Sequence, residues 1–220
     1  MTWQDVRAVE IEPSLYAADF LRLGEQVEAL LAAGVRVFHF DVGDGHFVPP
    51  VTIGPVVLRA VAPVVHEAGG LLDCHLMVDD PVHHFREIAE SGGDSVTFHV
   101  EATDDPAAVA TRARGLGLGV GVAFKPETAV EDAARAAEGA DLALCMSIEP
   151  GYSGQAFMPE ALPRIERLRA LVDCHVQVDG GIDEQTAPRA RAAGANLLVA
   201  GTAVFRDVPG AYERLVELTS

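Results

Sequence analysis

The stretch Val37-Phe38-His39-Phe40-Asp41-Val42-Gly43-Asp44-Gly45-His46-Phe47 decides how the rest of the chain is read. It opens as a β-branched and aromatic run, which predicts a strand, and in a strand residues two apart leave the same face. His39 and Asp41 therefore share a face where the strand gives way to a glycine-punctuated loop. An imidazole and a carboxylate so placed have two readings: a satisfied polar pair at a strand end, or two ligands offered to one metal ion. The flanking sequence has to choose between them.

On both sides of this stretch, short apolar runs alternate with longer Ala/Leu/Arg/Glu-rich segments of helical period. Strands are expected at 9–15, 36–41, 71–77, 95–100, 119–124, 141–147, 175–179 and 196–200. The first helix is expected to start at Asp19 as N-cap, to run through Ala33 with Phe20, Leu23, Val27 and Leu30 on one face, and to close on Gly34. Further helices are expected at 55–67, from 80 onward, and at 106–116, 128–138, 159–171, 184–193 and 209–218, with only a short turn after Gly201-Thr202. Eight strand–helix units with no linker between them read as one α/β domain over 1–220, a single (β/α)8 TIM barrel. An open doubly wound sheet is the competitor. Short joins throughout, and the lack of Gly-x-Gly-x-x-Gly at the first helix, favour the barrel.

Composition narrows the function. The 220 residues are 49% hydrophobic and 22% charged, as in a packed globular protein. Sixteen Lys plus Arg against 33 Asp plus Glu give a formal net charge of −17, which argues against a nucleic-acid surface or an anionic membrane. An anionic substrate would have to be drawn in by backbone dipoles or a bound cation. No secretory signal is read in Met1–Glu10, and no apolar run approaches the length of a membrane span, so a cytoplasmic protein is expected. Cys74, Cys145 and Cys174 are widely separated and are read as small apolar filler in a reducing compartment.

In a barrel, the C-terminal strand ends form the active face. Ser14 follows strand one, His39 and Asp41 strand two, His75 and Met77 strand three, and Asp179 strand seven. Two imidazoles and two carboxylates thus converge from three strands, which suits one divalent ion: Zn²⁺ first, with Fe²⁺, Mn²⁺ or Co²⁺ as alternatives. Gly180-Gly181 and Gly201-Thr202 follow strands seven and eight, where barrels hold phosphate on backbone N–H groups, and Gly151-Tyr152-Ser153-Gly154 can add further amides.

In order along the chain stand Pro13-Ser14-Leu15 with Ala18-Asp19-Phe20, His39-x-Asp41-Val42-x-Asp44-Gly45-His46-Phe47-Val48-Pro49, Asp73-x-His75-Leu76-Met77, Pro150-Gly151-Tyr152-x-Gly154-Gln155, Val178-Asp179-Gly180-Gly181 and Ala200-Gly201-Thr202. This set resembles the ordered motifs of the ribulose-phosphate 3-epimerases across nearly the whole chain. The resemblance implies a ribulose-phosphate-binding barrel, an isomerase of pentose phosphate metabolism that interconverts D-ribulose 5-phosphate and D-xylulose 5-phosphate. It places His39, Asp41, His75 and Asp179 on the family's metal ligands and Asp41 and Asp179 on its acid/base carboxylates. Ser14, His75 and Asp179 fall on substrate contacts, and the three glycine loops on the phosphate grip. It also leaves open a homo-oligomer.

The chemistry is coherent on its own terms. Inverting a carbon beside a ketone means taking a proton from one face and returning one to the other, so two flanking carboxylates are the minimum apparatus. A cation near the carbonyl and hydroxyl oxygens would stabilise the enediolate, and the two carboxylates would exchange roles with direction. Gly43 stands where the family usually has Met, Pro50 replaces Asn, Ala17 Ser, Glu149 Asn and Ser153 Gly. Met77 and Met146 remain. A roomier pocket for a longer ketose phosphate, such as allulose 6-phosphate, is therefore the alternative, and a non-catalytic sugar-phosphate-binding barrel is a second.

His46, His66, His83, His84, His99 and His175 receive no catalytic role at this stage. Asp44 is expected to stabilise its turn. Lys125, the only lysine, would suit a Schiff-base aldolase, but Phe124 and Pro126 offer it no partner.

Overall fold

The computed structural model describes residues 2–6 and 9–220. In chain order it comprises β1 (Glu10–Pro13), α1 (Leu23–Ala32), β2 (Val37–Gly43), α2 (Pro55–Glu67), β3 (Leu71–Met77), α3 (Pro81–Glu90), β4 (Ser95–His99), α4 (Pro106–Arg114), β5 (Gly119–Phe124) and α5 (Val130–Ala136). There follow β6 (Leu142–Met146), α6 (Ala161–Arg169), β7 (His175–Asp179), α7 (Ala187–Ala192), β8 (Leu197–Ala200), α8 (Thr202–Phe205) and α9 (Gly210–Thr219). The strands pair in parallel in the order β1-β8-β7-β6-β5-β4-β3-β2. A parallel bridge between Ser14 and His39 draws the two ends together. The result is a (β/α)8 TIM barrel whose seam lies beside the candidate ligands.

Near-continuous apolar strands are what a parallel sheet requires, because both of its faces are covered. Outward residues such as Phe38, Phe40, Phe98 and Phe124 pack under the helices in one core. Inward residues Val37, Leu71, Leu142, Leu144, Met146 and Leu197 form a second core inside the barrel. Trp3, on a 3₁₀ turn over Trp3–Asp5, joins that inner core and accepts a hydrogen bond at its carbonyl from His175 Nε2 at 3.1 Å. A Cβ on Gly119 would lie 2.8 Å from the Trp3 ring, so the indole sits where a β5 side chain would otherwise point.

Proline at the first turn opens α2, α3 and α4, where a missing N–H costs nothing. Asp80 and Asp105 cap α3 and α4 through the N–H groups of His83 and Ala108.

Three local expectations need correction. Asp19 is not the N-cap of α1; that position is Arg22. The Asp19 carboxylate instead accepts the Leu21 N–H at 3.0 Å, so the helix starts later and Phe20 is left 48% exposed instead of on the buried face. The seventh helix starts at Ala187, not at 184, because the Asp183 carboxylate takes the N–H groups of Gln185 and Thr186 in a turn. After Gly201 the chain makes the short helix α8, not merely a turn.

Candidate active site

Strand alternation delivers the side chains. His39 and Asp41 from β2, His75 from β3 and Asp179 from β7 each offer one atom to a group lying within 4.8 Å of one another. His39 Nε2 is 3.3 Å from His75 Nδ1, and each of these nitrogens is 3.3 Å from Asp41 Oδ1. Asp179 Oδ2 stands 3.7 Å from His75 Nδ1 and 4.0 Å from His39 Nε2. Four ligands about 2.0–2.1 Å from a tetrahedral ion are separated by edges of roughly 3.3–3.4 Å. Three edges of this cluster have that length, and the two from Asp179 to the imidazoles are a little longer. Two nitrogens and two oxygens are also a donor set suited to a divalent transition ion. The residues fit the ion.

Each carboxylate is held differently. Asp41 Oδ2 accepts the Ser14 hydroxyl at 2.5 Å across the barrel seam. Burial disfavours the Asp41 anion, yet the imidazoles of His39 and His75 outweigh it and hold the carboxyl well below its usual range. Burial and the neighbouring Asp41 push Asp179 the other way, up to about 6. Burial likewise opposes charge on His39, but Asp41 and Asp73 raise it well above its usual value. The two carboxylates are thus set apart, Asp41 firmly ionised and Asp179 able to take up a proton just below neutrality, which suits them to act as base and acid in turn.

Behind the cluster lies a second polar layer that the sequence reading did not assemble. His39 Nδ1 faces Asp73 Oδ2 at 3.5 Å. Asp73 also accepts from Ser95 and Thr97 hydroxyls at 2.7 and 3.0 Å and from Gln177 Nε2 at 3.1 Å. Gln177 Nε2 reaches Glu12 as well, and Glu12, His39 and Asp73 form another potential ligand group. Burial and the Asp73 charge push Glu12 up to about 8, so at neutral pH it holds its proton and is a poor metal ligand. On the other side, His75 Nε2 lies 2.9 Å from His99 Nε2, and His99 Nδ1 lies 3.1 Å from Glu101. Burial pushes His99 down to about 4, which leaves it neutral.

A cavity opens above the cluster, with about 540 Å³ of free space including its mouth. Ser14, Asp41, Gly151, Tyr152, Ser153, Gly154, Asp179, Gly180, Gly181, Gly201 and Thr202 all line it, with Met77 and Met146 at its apolar side. His75, expected at the substrate as well as at the metal, is fully buried and belongs to the cluster, not to the cavity wall. Gly180 and Gly181 have φ of +119° and +64°. A Cβ at Gly181 would lie 2.3 Å from the Phe157 backbone nitrogen, so this turn accepts only glycine.

Gly43 does not open a hole. A Cβ there would lie 2.9 Å from the Pro50 carbonyl and 3.0 Å from Val48, so the loop after β2 fills the space, and Gly43 is not part of the cavity lining. Asp44 organises that loop by accepting the N–H groups of His46, Phe47 and Asp79 at 2.8–2.9 Å. Lys125 Nζ sits 4.0 Å above the Phe47 ring and outside the cavity lining, a packing role and not that of a Schiff-base nucleophile. Among the described residues, no helix is long and apolar enough to cross a membrane.

Solved structures of thiamine phosphate pyrophosphorylase from Pyrococcus furiosus (TM-score 0.67, 18% identity, 96% of each chain covered) and orotidine 5'-phosphate decarboxylase from Pyrococcus horikoshii OT3 (0.65, 16%, 95% and 97%) share the fold. Sequence likeness is much closer to ribulose-phosphate 3-epimerases. That of Schizosaccharomyces pombe is 43% identical over 197 residues, covering 89% of this chain and 86% of its own. That of Mycobacterium tuberculosis is 42% identical over 207 residues (91% and 88%), and that of Bacillus subtilis 36% over 203 residues (90% and 92%). Since the family model for ribulose-phosphate 3 epimerases also matches residues 10–205, the chain belongs to the ribulose-phosphate 3-epimerase family.

Proposed function

We propose that the enzyme inverts C3 of D-ribulose 5-phosphate to give D-xylulose 5-phosphate with one divalent metal ion per subunit, held by His39, Asp41, His75 and Asp179. The observation that carries this reading is the placement of two carboxylates with opposed proton affinities in one cavity that Gly151, Gly154, Gly180, Gly181 and Gly201 also line. The phosphate would rest on the loops at Gly151–Gly154, Gly180-Gly181 and Gly201-Thr202, which fixes the sugar chain over the carboxylates.

Asp41, ionised and steadied by Ser14, takes the C3 proton from one face. Asp179, which takes up a proton far more readily than Asp41, returns one to the other face in its protonated form, and the roles reverse for the back reaction. His39, Asp41, His75 and Asp179 would hold a divalent cation, which when bound would supply positive charge to offset the negative charge that develops on the substrate. Met77 and Met146 line the cavity and would present apolar surface to the reacting carbon. Zn²⁺ is the first choice because its donor preferences match this set, with Fe²⁺, Mn²⁺ and Co²⁺ next. The filled space at Gly43 supports a pentulose over a longer ketose phosphate.

The test is hydrogen exchange with epimerisation. Purified protein supplied with metal should exchange the substrate's C3 hydrogen with deuterated water and invert C3, and Asp179→Asn should abolish the inversion while inorganic phosphate still binds. Full epimerase activity in Asp179→Asn would remove that residue from the mechanism. A panel of pentulose and hexulose phosphates decides the sugar.

A further inference from the structure

His75 turns Nδ1 into the ligand cluster, where it faces His39 Nε2 and Asp41 Oδ1 at 3.3 Å and Asp179 Oδ2 at 3.7 Å. A nitrogen that binds a metal carries no proton, so the His75 proton must reside on Nε2. The atom waiting for it, 2.9 Å away, is His99 Nε2. To accept, that nitrogen must be bare, which moves the His99 proton to Nδ1. There it meets Glu101 Oε2 at 3.1 Å. Glu101 in turn is pinned by the Lys125 N–H at 2.8 Å and by the Thr128 hydroxyl. Each step leaves one arrangement of protons. The two rings lie 26° from coplanar with centroids 5.0 Å apart, and Phe47 covers His99 from the loop after β2 at 4.9 Å.

We propose that His99 and Glu101 form a two-imidazole relay that fixes the proton of His75 on Nε2 and so sets its metal-facing lone pair, making both of them positioning residues for the metal centre. The inference rests on the metal reading above. It makes the support of the two ligand imidazoles asymmetric: Asp73 stands directly behind His39, whereas the charge behind His75 acts through a second ring. Without Glu101, His99 is free to carry its proton on Nε2, which would set two N–H groups against each other at hydrogen-bonding distance. Without His99, the His75 N–H is buried with no acceptor.

Cobalt binding to the whole protein tests this, with Co²⁺ as the probe, its affinity measured by chelator competition and its site reported by the visible d–d spectrum. His99→Leu and Glu101→Leu should each weaken Co²⁺ binding by about 10- to 100-fold and alter the spectrum. His99→Gln and Glu101→Gln, which keep an acceptor, should recover most of the affinity. The double leucine variant should be no weaker than His99→Leu alone, because Glu101 acts only through His99. Nitrogen NMR of the zinc-loaded wild type, which needs no variant, should find the proton of His75 on Nε2 and that of His99 on Nδ1.

Leucine variants that bind Co²⁺ as tightly as wild type, additive losses in the double variant, or a His99 proton on Nε2 would each overturn the relay. Wild-type protein that takes up no Co²⁺ would overturn the metal reading and the relay with it.

Discussion

Replacing Glu12 by Gln should make the protein more stable in mildly alkaline solution, although the residue is fully buried and hydrogen-bonded. Glu12 sits inside the barrel, where Gln177 Nε2 donates to it, and burial with the adjacent Asp73 charge raises it from the ordinary 4.5 to about 8. Between those values the folded protein keeps a proton that the unfolded chain has released, so stability must fall as pH rises. The contribution is intact below 4.5 and is lost progressively up to and through about 8. Each pH unit in that window is worth about 1.4 kcal/mol, so wild type should lose ~2 kcal/mol from this group between roughly pH 6 and 8. Glutamine can still accept from Gln177 but has no proton to lose. The stability difference between variant and wild type should therefore grow by ~2 kcal/mol in favour of the variant over the same interval. Urea unfolding at several pH values, with chelator present so that metal binding does not contribute, measures this difference directly. A difference constant across the range would mean that Glu12 is ionised in the folded protein, and the account of the barrel interior would be wrong.

Gly181→Ala should cost about 1–3 kcal/mol, since a positive φ meets a backbone that cannot retreat, and should weaken inorganic phosphate binding. Unchanged urea midpoint and phosphate affinity would free that loop from the proposed grip. Saturating metal, at about 100 times its dissociation constant, should stabilise the protein by about 2.7 kcal/mol over the chelated form, seen as a rise in Tm; no rise would mean no cation binds the folded state. Asp105→Ala removes the cap of α4 and should cost about 1 kcal/mol in urea unfolding while epimerase turnover is unchanged.

The barrel was legible because its strands repeat one signal. The run at β2 is apolar on one face and carries His39 and Asp41 on the other, and β3 and β7 place His75 and Asp179 on the corresponding face. What the sequence concealed has two physical causes. Asp19 and Asp183 have the composition of helix caps, but a carboxylate two residues before a free N–H makes an Asx turn with the same short-range signature, and only the geometry separates them. Glu10 and Glu12 alternate with apolar neighbours, a pattern that ordinarily sets one strand face in water. Barrel closure turns that face inward, so the acids become an interior layer with Asp73 and Gln177. His99 left a fainter signal. It lies two residues beyond Thr97, the register partner of His75, and so on the same face one step toward the active end. That pairing can be recognised only once the strands have been aligned.

The same interior explains why the proposed cation matters to the base as much as to the developing charge. No lysine or arginine is among the residues lining the cavity, while Asp41 and Asp179 both face it. A phosphorylated sugar brings further negative charge into a protein whose net charge is already −17. Glycine N–H groups can solvate the phosphate, but they are only partial charges. With only those amides for compensation, the approach of an anion would raise both carboxylates further, and Asp41 would lose its advantage as a base. A divalent ion among His39, Asp41, His75 and Asp179 would reverse that tendency where it is felt. An imidazole bound to the ion gives up its second proton and brings no charge of its own, so the cation's charge would be left to offset the two acids and the substrate. The buried acids behind it then stay out of its way by different means: Asp73 is spent on His39, Ser95, Thr97 and Gln177, and Glu12 keeps its proton.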